Sequence, residues 1–205
     1  MQTEIARYSA LIRENLHADY RGMFREAGGN MPYPFITPGS QQYADVLWDW
    51  DSWLANVALR QILLEVGDEQ EQDNARAYEQ GCVLDFLHWG NMYGWIPIWL
   101  GRSDPIERPK DLYAQNMHKP VLAQHAAFIT QLQGDDAEWL RDRFYYLLTF
   151  LNNYRNHHRH ACGIYYWQND FAIGVDNDPC TFYRPPRSSG SIYLNCLMFK
   201  EVEAA

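Results

Sequence analysis

Apolar residues in this chain recur at helical spacing in segments of 13–21 residues, and those segments are joined alternately by short and by long proline-bearing connections. Residues 2–18 place Ile5, Tyr8, Ile12 and Leu16 on one stripe, and Gly28-Gly29-Asn30 provides a stop. The spacing predicts a second helix over 52–66, closed by Gly67, and a third over 69–89 with Val83, Leu84, Phe86 and Leu87 inward. A fourth runs over 120–132 and ends at Gly134. A fifth starts near an Asp135-Asp136 cap and carries Trp139, Phe144, Leu147, Leu148 and Leu151. A sixth begins near Ser188-Ser189 and continues to the last residue. Alternation at period two is almost lacking, so the expected class is all-α.

The long connections cover 31–50, 91–116 and 161–187. The first holds Pro32, Pro34, Pro38 and Gly39; the second holds Pro97, Pro105 and Pro109. Loops of that length inside a compact domain are usually functional. Short and long links in alternation suit a ring of helical hairpins whose long loops gather at one end. The last helix has no Gly, Asn or Pro after its apolar residues, which predicts that the chain ends inside an element and is the N-terminal part of a longer domain.

A length of 205 residues suffices for one sizeable core. The formal charge of -9 argues against a nucleic-acid partner. No apolar run approaches the roughly 20 residues of a membrane span, and no secretory signal is visible, so a cytoplasmic location is expected. Cys82, Cys162, Cys180 and Cys196 lack metal-ligand spacing and read as free buried thiols. Eight Trp among 15% aromatic residues is the unusual feature. Such rings suit a helical core, which composition alone favours, and also the apolar faces of sugars.

Four segments concentrate chemistry. Leu47-Trp48-Asp49-Trp50-Asp51-Ser52-Trp53 sets three indoles and two carboxylates at a helix entrance. One Asp is explained as a cap; the whole cluster reads better as a sugar subsite, with carboxylates accepting from hydroxyls and an indole against the ring. Tyr93-Gly94-Trp95-Ile96-Pro97-Ile98-Trp99 precedes Arg102, and Tyr113 to Pro120 brings Gln115, Asn116, His118 and Lys119 to the mouth of the fourth helix. Each of these reads equally as loop and cap chemistry. Finally, Tyr165 to Asp170 leads to Gly174-Val175-Asp176-Asn177-Asp178-Pro179. Asp178 reads as a turn residue; Asp176 is open between a turn residue and a partly desolvated general acid. His157-His158-Arg159-His160 reads as a solvated helix end rather than a metal site.

In this order and at these separations the segments resemble the (α/α)6 toroid glycosidases of the trehalase and glycoside hydrolase family 63 group, including its mannosylglycerate-hydrolase-like branch. Trp50-Asp51-Ser52-Trp53 resembles that group's Trp-Asp-Ser-aromatic segment, and Tyr93-Gly94-Trp95-Ile96-Pro97 its Tyr-Gly-aromatic-Ile-Pro turn. Gly174-Val175-Asp176-Asn177 is similar to the segment that carries the general acid, and Ser191-Ile192-Tyr193-Leu194-Asn195 to an Asp-Leu-Asn helix start. The resemblance spans roughly residues 31–205 and implies a partial toroid of about six helices out of about twelve.

It also implies inverting hydrolysis of an α-glycosidic bond, with Asp176 as general acid. Trp50, Asp51, Arg102, Asn116, His118, Lys119, Trp167 and Asn169 are the implied substrate-binding residues. Inversion requires a second carboxylate as base about 6.5–9.5 Å from the acid. In the family this is a late Glu, which the 205 residues do not supply in the expected context, so the chain alone is expected to be inactive. No cofactor or metal is implied; a carbohydrate is the expected partner, together with the missing half of the domain. Two alternatives use the same residues differently. A sugar epimerase on the same toroid would use His88, His118 or His125, and a carbohydrate-binding module would use Trp50, Trp95 and Trp167 as a stacking platform.

Overall fold

The computed structural model describes residues 2–38, 43–106, 110–111, 113, 116–134 and 136–205. Gly39, Pro109, Gln115 and Asp135, singled out above, lie outside the described residues. The chain is mostly helical, with seven α-helices among the described residues: α1 (Gln2–Asp19), α2 (Asp49–Val66), α3 (Glu69–His88), α4 (Leu122–Leu132), α5 (Phe144–His157), the short α6 (Asp170–Ile173) and α7 (Ile192–Ala204).

The boundaries follow from local chemistry. Asp68 caps α3 by accepting from the Glu71 N–H at 2.8 Å, and the Gly67 N–H closes α2 on the Leu63 carbonyl at 2.8 Å. Ser191, rather than the predicted Ser188-Ser189 pair, caps α7 through the Leu194 N–H at 3.2 Å. The fifth helix begins at Phe144, after a 3-10 turn over Glu138–Leu140. The second begins three residues earlier than predicted, which puts Asp49, Trp50 and Asp51 in its first turn.

One correction concerns the connections. In and just before the first two lie short antiparallel strand pairs that residue spacing did not reveal, because strands of two or three residues are too short to show a period. β1 (Phe24–Arg25) pairs with β2 (Phe35–Ile36), and β3 (Val46–Trp48) pairs with β4 (Trp99–Gly101). In the second pair Trp48 lies opposite Trp99, their rings stacked 5.8 Å apart. The Asp49 N–H then continues the ladder to the Ile98 carbonyl at 3.0 Å. The first two long connections are thereby zipped together directly below the start of α2.

The core lies between α2, α3, α4, α5 and α7. Leu59, Leu63, Val83, Phe86, Leu87, Ile129, Phe150 and Leu194 are fully buried there. α3 packs on β2, α2 and α4, and α4 packs on α7. The α1 stripe, by contrast, is exposed: Ile5, Tyr8, Leu11, Ile12 and Leu16 all face outward. On α7, Ile192, Phe199 and Val202 form a second exposed apolar face. Of the cysteines only Cys82 is buried; Cys162, Cys180 and Cys196 are exposed, since they lie in loops or on the outer face of α7. No helix among the described residues is long and apolar enough to cross a membrane.

Candidate functional site

At the loop end of the bundle, Asp49 is tied to two segments by hydrogen bonds. Its side chain is fully buried at the start of α2. Oδ1 accepts from the Trp50 N–H at 2.8 Å, as expected for a carboxylate in a first helical turn. The Lys119 ammonium donates to Oδ1 at 2.9 Å and to Oδ2 at 3.1 Å, and the Lys119 backbone N–H donates to Oδ2 at 2.9 Å. Lys119 is equally buried, and its Nζ lies 5.0 Å from the centre of the Trp50 ring. An ion pair this deep stands only because nearly every hydrogen-bonding site on the carboxylate is occupied.

Asp51 sits one position outward and is half-buried. Burial raises its carboxyl above the ordinary range, the neighbouring charge of Asp49 raises it further, and Lys119 pulls it back. The Tyr193 ring closes the other side, 5.9 Å from Trp50 and 6.1 Å from Trp167. Its phenol is pushed up by burial and by the charges of Asp49 and Asp51. Trp167 is held by its indole N–H on Ser191 Oγ at 3.2 Å and by its backbone N–H on the Ser189 carbonyl at 3.1 Å. Thus α2, the approach to α4, the last long connection and α7 converge on one spot.

The rim comes from the third connection. Asn169 caps α6 by accepting from the Phe171 N–H at 3.0 Å, and the same Oδ1 accepts from Asn116 Nδ2 at 2.8 Å. α6 ends at Gly174, whose φ of 67° is left-handed. A Cβ at Gly174 would lie 2.6 Å from Lys119 Nζ and 3.8 Å from Trp50 Nε1, so this turn rests directly on the site. Asp176 follows two residues later and is exposed, so the partial desolvation expected of it is not provided by the described residues. Asp178 acts as the turn residue it was read to be, accepting from the Cys180 N–H at 2.7 Å.

The predicted set therefore divides. Trp50, Asp51, Lys119 and Trp167 come together, with Asn116 and Asn169 paired at the edge. Arg102 does not join them. Its guanidinium donates to the Glu26 carbonyl at 3.1 Å and to Asp45 at 3.2 Å, lies 5.8 Å from the Phe35 ring, and occupies the space beside Gly28, while its backbone carbonyl fills the space beside Gly29. The antiparallel register explains this: Arg102 follows the β4 end that pairs with Val46, whereas Asp49 continues from the end that pairs with Trp99. Arg102 also offsets part of the burial that raises Asp85 to about 8.

His118 is buried beneath the site rather than in it. Nδ1 lies 2.6 Å from the Lys119 carbonyl, the ring stands edge-on to Phe86 and Phe150, and burial lowers it to about 4. His125 is buried too, bonded to Asn56 at 2.9 Å, and lowered to about 3. Of these three histidines only His88 is exposed, its Nδ1 3.3 Å from Arg143 Nη2. Trp95 is buried with its indole N–H on the Asn116 carbonyl at 3.1 Å, and Trp167 is 2% exposed, so neither presents a free ring face beside Trp50. The histidine run disperses: His157 stacks on Tyr113 at 4.0 Å, His158 is buried, and His160 packs on Tyr166. Among the described residues no cluster is arranged to hold a metal.

Neither a protein-family model nor a curated protein matches this chain. Two residues matter more here than local spacing indicates. Asp49 reads from the sequence as a cap or a subsite carboxylate, but its ion-pair partner lies 70 residues away, beyond local spacing. Tyr193 stands two residues after the α7 cap, and that position is the signal the sequence carries for it.

Proposed function

We propose that this chain carries the acid side of an inverting glycosidase centre for an α-linked glucoside or mannoside, on part of an (α/α)6 toroid. The observation that carries this reading is the convergence of Trp50, Asp51, Tyr193 and the Gly174 turn from three separate segments onto the Asp49–Lys119 pair. Asp51 accepts hydrogen bonds from sugar hydroxyls, and the half-exposed Trp50 ring covers an apolar sugar face. Asp176, two residues beyond Gly174, protonates the leaving oxygen.

A base is the missing half of the reaction. Among the described residues, the two fully buried glutamates are engaged elsewhere. Glu79 is paired with Arg60 and accepts from Asn56 at 2.8 Å, and Glu201 accepts from the Ala123 N–H at 2.6 Å. The base in this reading comes from residues outside the 205, on helices that also cover the exposed apolar faces of α1 and α7. The epimerase alternative is weaker, because His118 and His125 are both sealed inside the core.

Calorimetric titration with maltotriose and with α-mannobiose tests the reading. At least one should bind, Trp50→Ala should weaken binding by about tenfold, and Asp51→Asn by about as much. Neither sugar should be hydrolysed by this chain alone. Absence of binding by both would remove the sugar site; hydrolysis at an ordinary rate would remove the argument for an external base.

A further inference from the structure

We infer that Lys119 is a positioning residue: its ammonium, held by Asp49, props the Gly174 turn against Trp50 and so fixes where Asp176 stands relative to Asp51. The functional consequence rests on the sugar-site reading above, but the geometry does not. A buried ammonium offers three donors. Asp49 takes the contacts at 2.9 and 3.1 Å, and the Trp50 ring lies to one side at 5.0 Å. The remaining approach is filled by Gly174, where a Cβ would stand 2.6 Å from Nζ and 2.9 Å from Cε.

Glycine is therefore required twice at this position, for its φ of 67° and for the space the ammonium occupies. Three segments that are distant in sequence, the start of α2, the approach to α4 and the end of α6, meet on one charged atom. A pair kept only for stability is replaceable by apolar side chains of similar size. Here the ammonium also lies against the Gly174 turn, beside the Trp50 indole. Beyond Gly174 the turn is local: the Asp178 N–H bonds the Val175 carbonyl at 3.3 Å, and Asn177 adopts a φ of 58°. Any shift at Gly174 is thus passed to Asp176.

A mutant cycle on the full chain tests this. Gly174→Ala is made in the wild type and in an Asp49→Asn/Lys119→Val background, where the charges leave together and the side chain at 119 ends before both atoms that a Cβ at Gly174 would meet. In the wild type, amide exchange over 172–178 should rise by about tenfold while α3 and the core of α4 are unchanged. In the second background the same substitution should add about threefold or less, the residue of the φ cost alone. Equal effects in both backgrounds overturn the proposal.

Should the double variant fail to fold, Gly174→Ala alone decides, by nitrogen-correlated NMR of the indoles. The Trp50 Nε1 resonance should move, while those of Trp95 and Trp167, bonded to Asn116 and Ser191, should stay. An unmoved Trp50 resonance overturns the proposal. Maltotriose titration of the same proteins separates the two readings: exchange that follows the cycle without any sugar binding keeps the positioning role and removes the sugar site.

Discussion

Glu201, in the last turn of α7, holds the N-terminus of α4: its Oε1 accepts from the Ala123 N–H at 2.6 Å, and its Oε2 from the Gln124 N–H at 3.1 Å. A carboxylate at a helix start is favoured by the exposed N–H groups and the macrodipole. Burial nevertheless outweighs those bonds and raises Glu201 to about 7. The folded value lies above the unfolded one, so the associated stability is complete below about pH 4.5 and is lost as pH rises through about 7. Glu201→Gln removes that titration. Urea unfolding at pH 5 and pH 8 should show the variant gaining relative to the wild type at the higher pH; an unchanged difference would place the Glu201 titration elsewhere.

Three buried histidines act with the opposite sign. His118 and His158 are lowered to about 4 and His125 to about 3, so each contributes stability that is complete above about 6.5 and is lost as pH falls toward the folded value. Below about 6.5 they outnumber Glu201 and Asp85, the two carboxyls raised furthest, by about one proton or roughly 1.4 kcal/mol per pH unit. Above it only the carboxyls titrate, and stability falls again. Unfolding free energy should therefore peak between about pH 6 and 7. A monotonic profile from pH 5 to 8 would contradict the arrangement.

Arg60 and Glu79 form a second buried ion pair, with Asn56 donating to Glu79 at 2.8 Å and His125 Nε2 bonded to Asn56 Oδ1 at 2.9 Å. Removing one member leaves an uncompensated charge in the core. Arg60→Met should cost about 3–5 kcal/mol in chemical denaturation, while Arg60→Met with Glu79→Met should recover most of that loss. Equal losses in the single and double variants would mean that packing, not charge, dominates there.

Gly81 lies where α3 crosses the connection before β2. A Cβ there would overlap the Pro34 carbonyl oxygen and lie 3.2 Å from the Tyr33 Cβ. Alanine ordinarily improves a helix interior by about 0.5–1 kcal/mol, but overpacking of this kind costs about 1–3 kcal/mol. Gly81→Ala should lower the melting temperature, with increased amide exchange at Tyr33, whose N–H bonds Asp85 at 3.0 Å. A rise in melting temperature would show that the connection yields easily.

The helices of the core could be read from spacing because each has a local stripe and a local stop, as Leu59, Ile62 and Leu63 before Gly67 illustrate. The site was only half legible. Trp50 and Asp51 were visible because they cluster within the chain. The Lys119 partnership was not, since pairing across 70 residues leaves no periodic mark. Arg102 was misplaced because a residue beyond a strand end goes wherever antiparallel pairing carries it, and that is decided by Val46 and Gly101. The α1 stripe shows the limit of periodicity: Ile5 and Ile12 reveal an amphipathic helix without telling which surface their side will meet.

The Trp48–Trp99 stack, with an interplanar angle of 27°, has a practical consequence. Two indoles that close couple their excited states, so this pair gives the near-ultraviolet dichroism of the protein an optical marker of its own. That marker reports whether the two loops beneath the cluster remain knitted together, without any label attached.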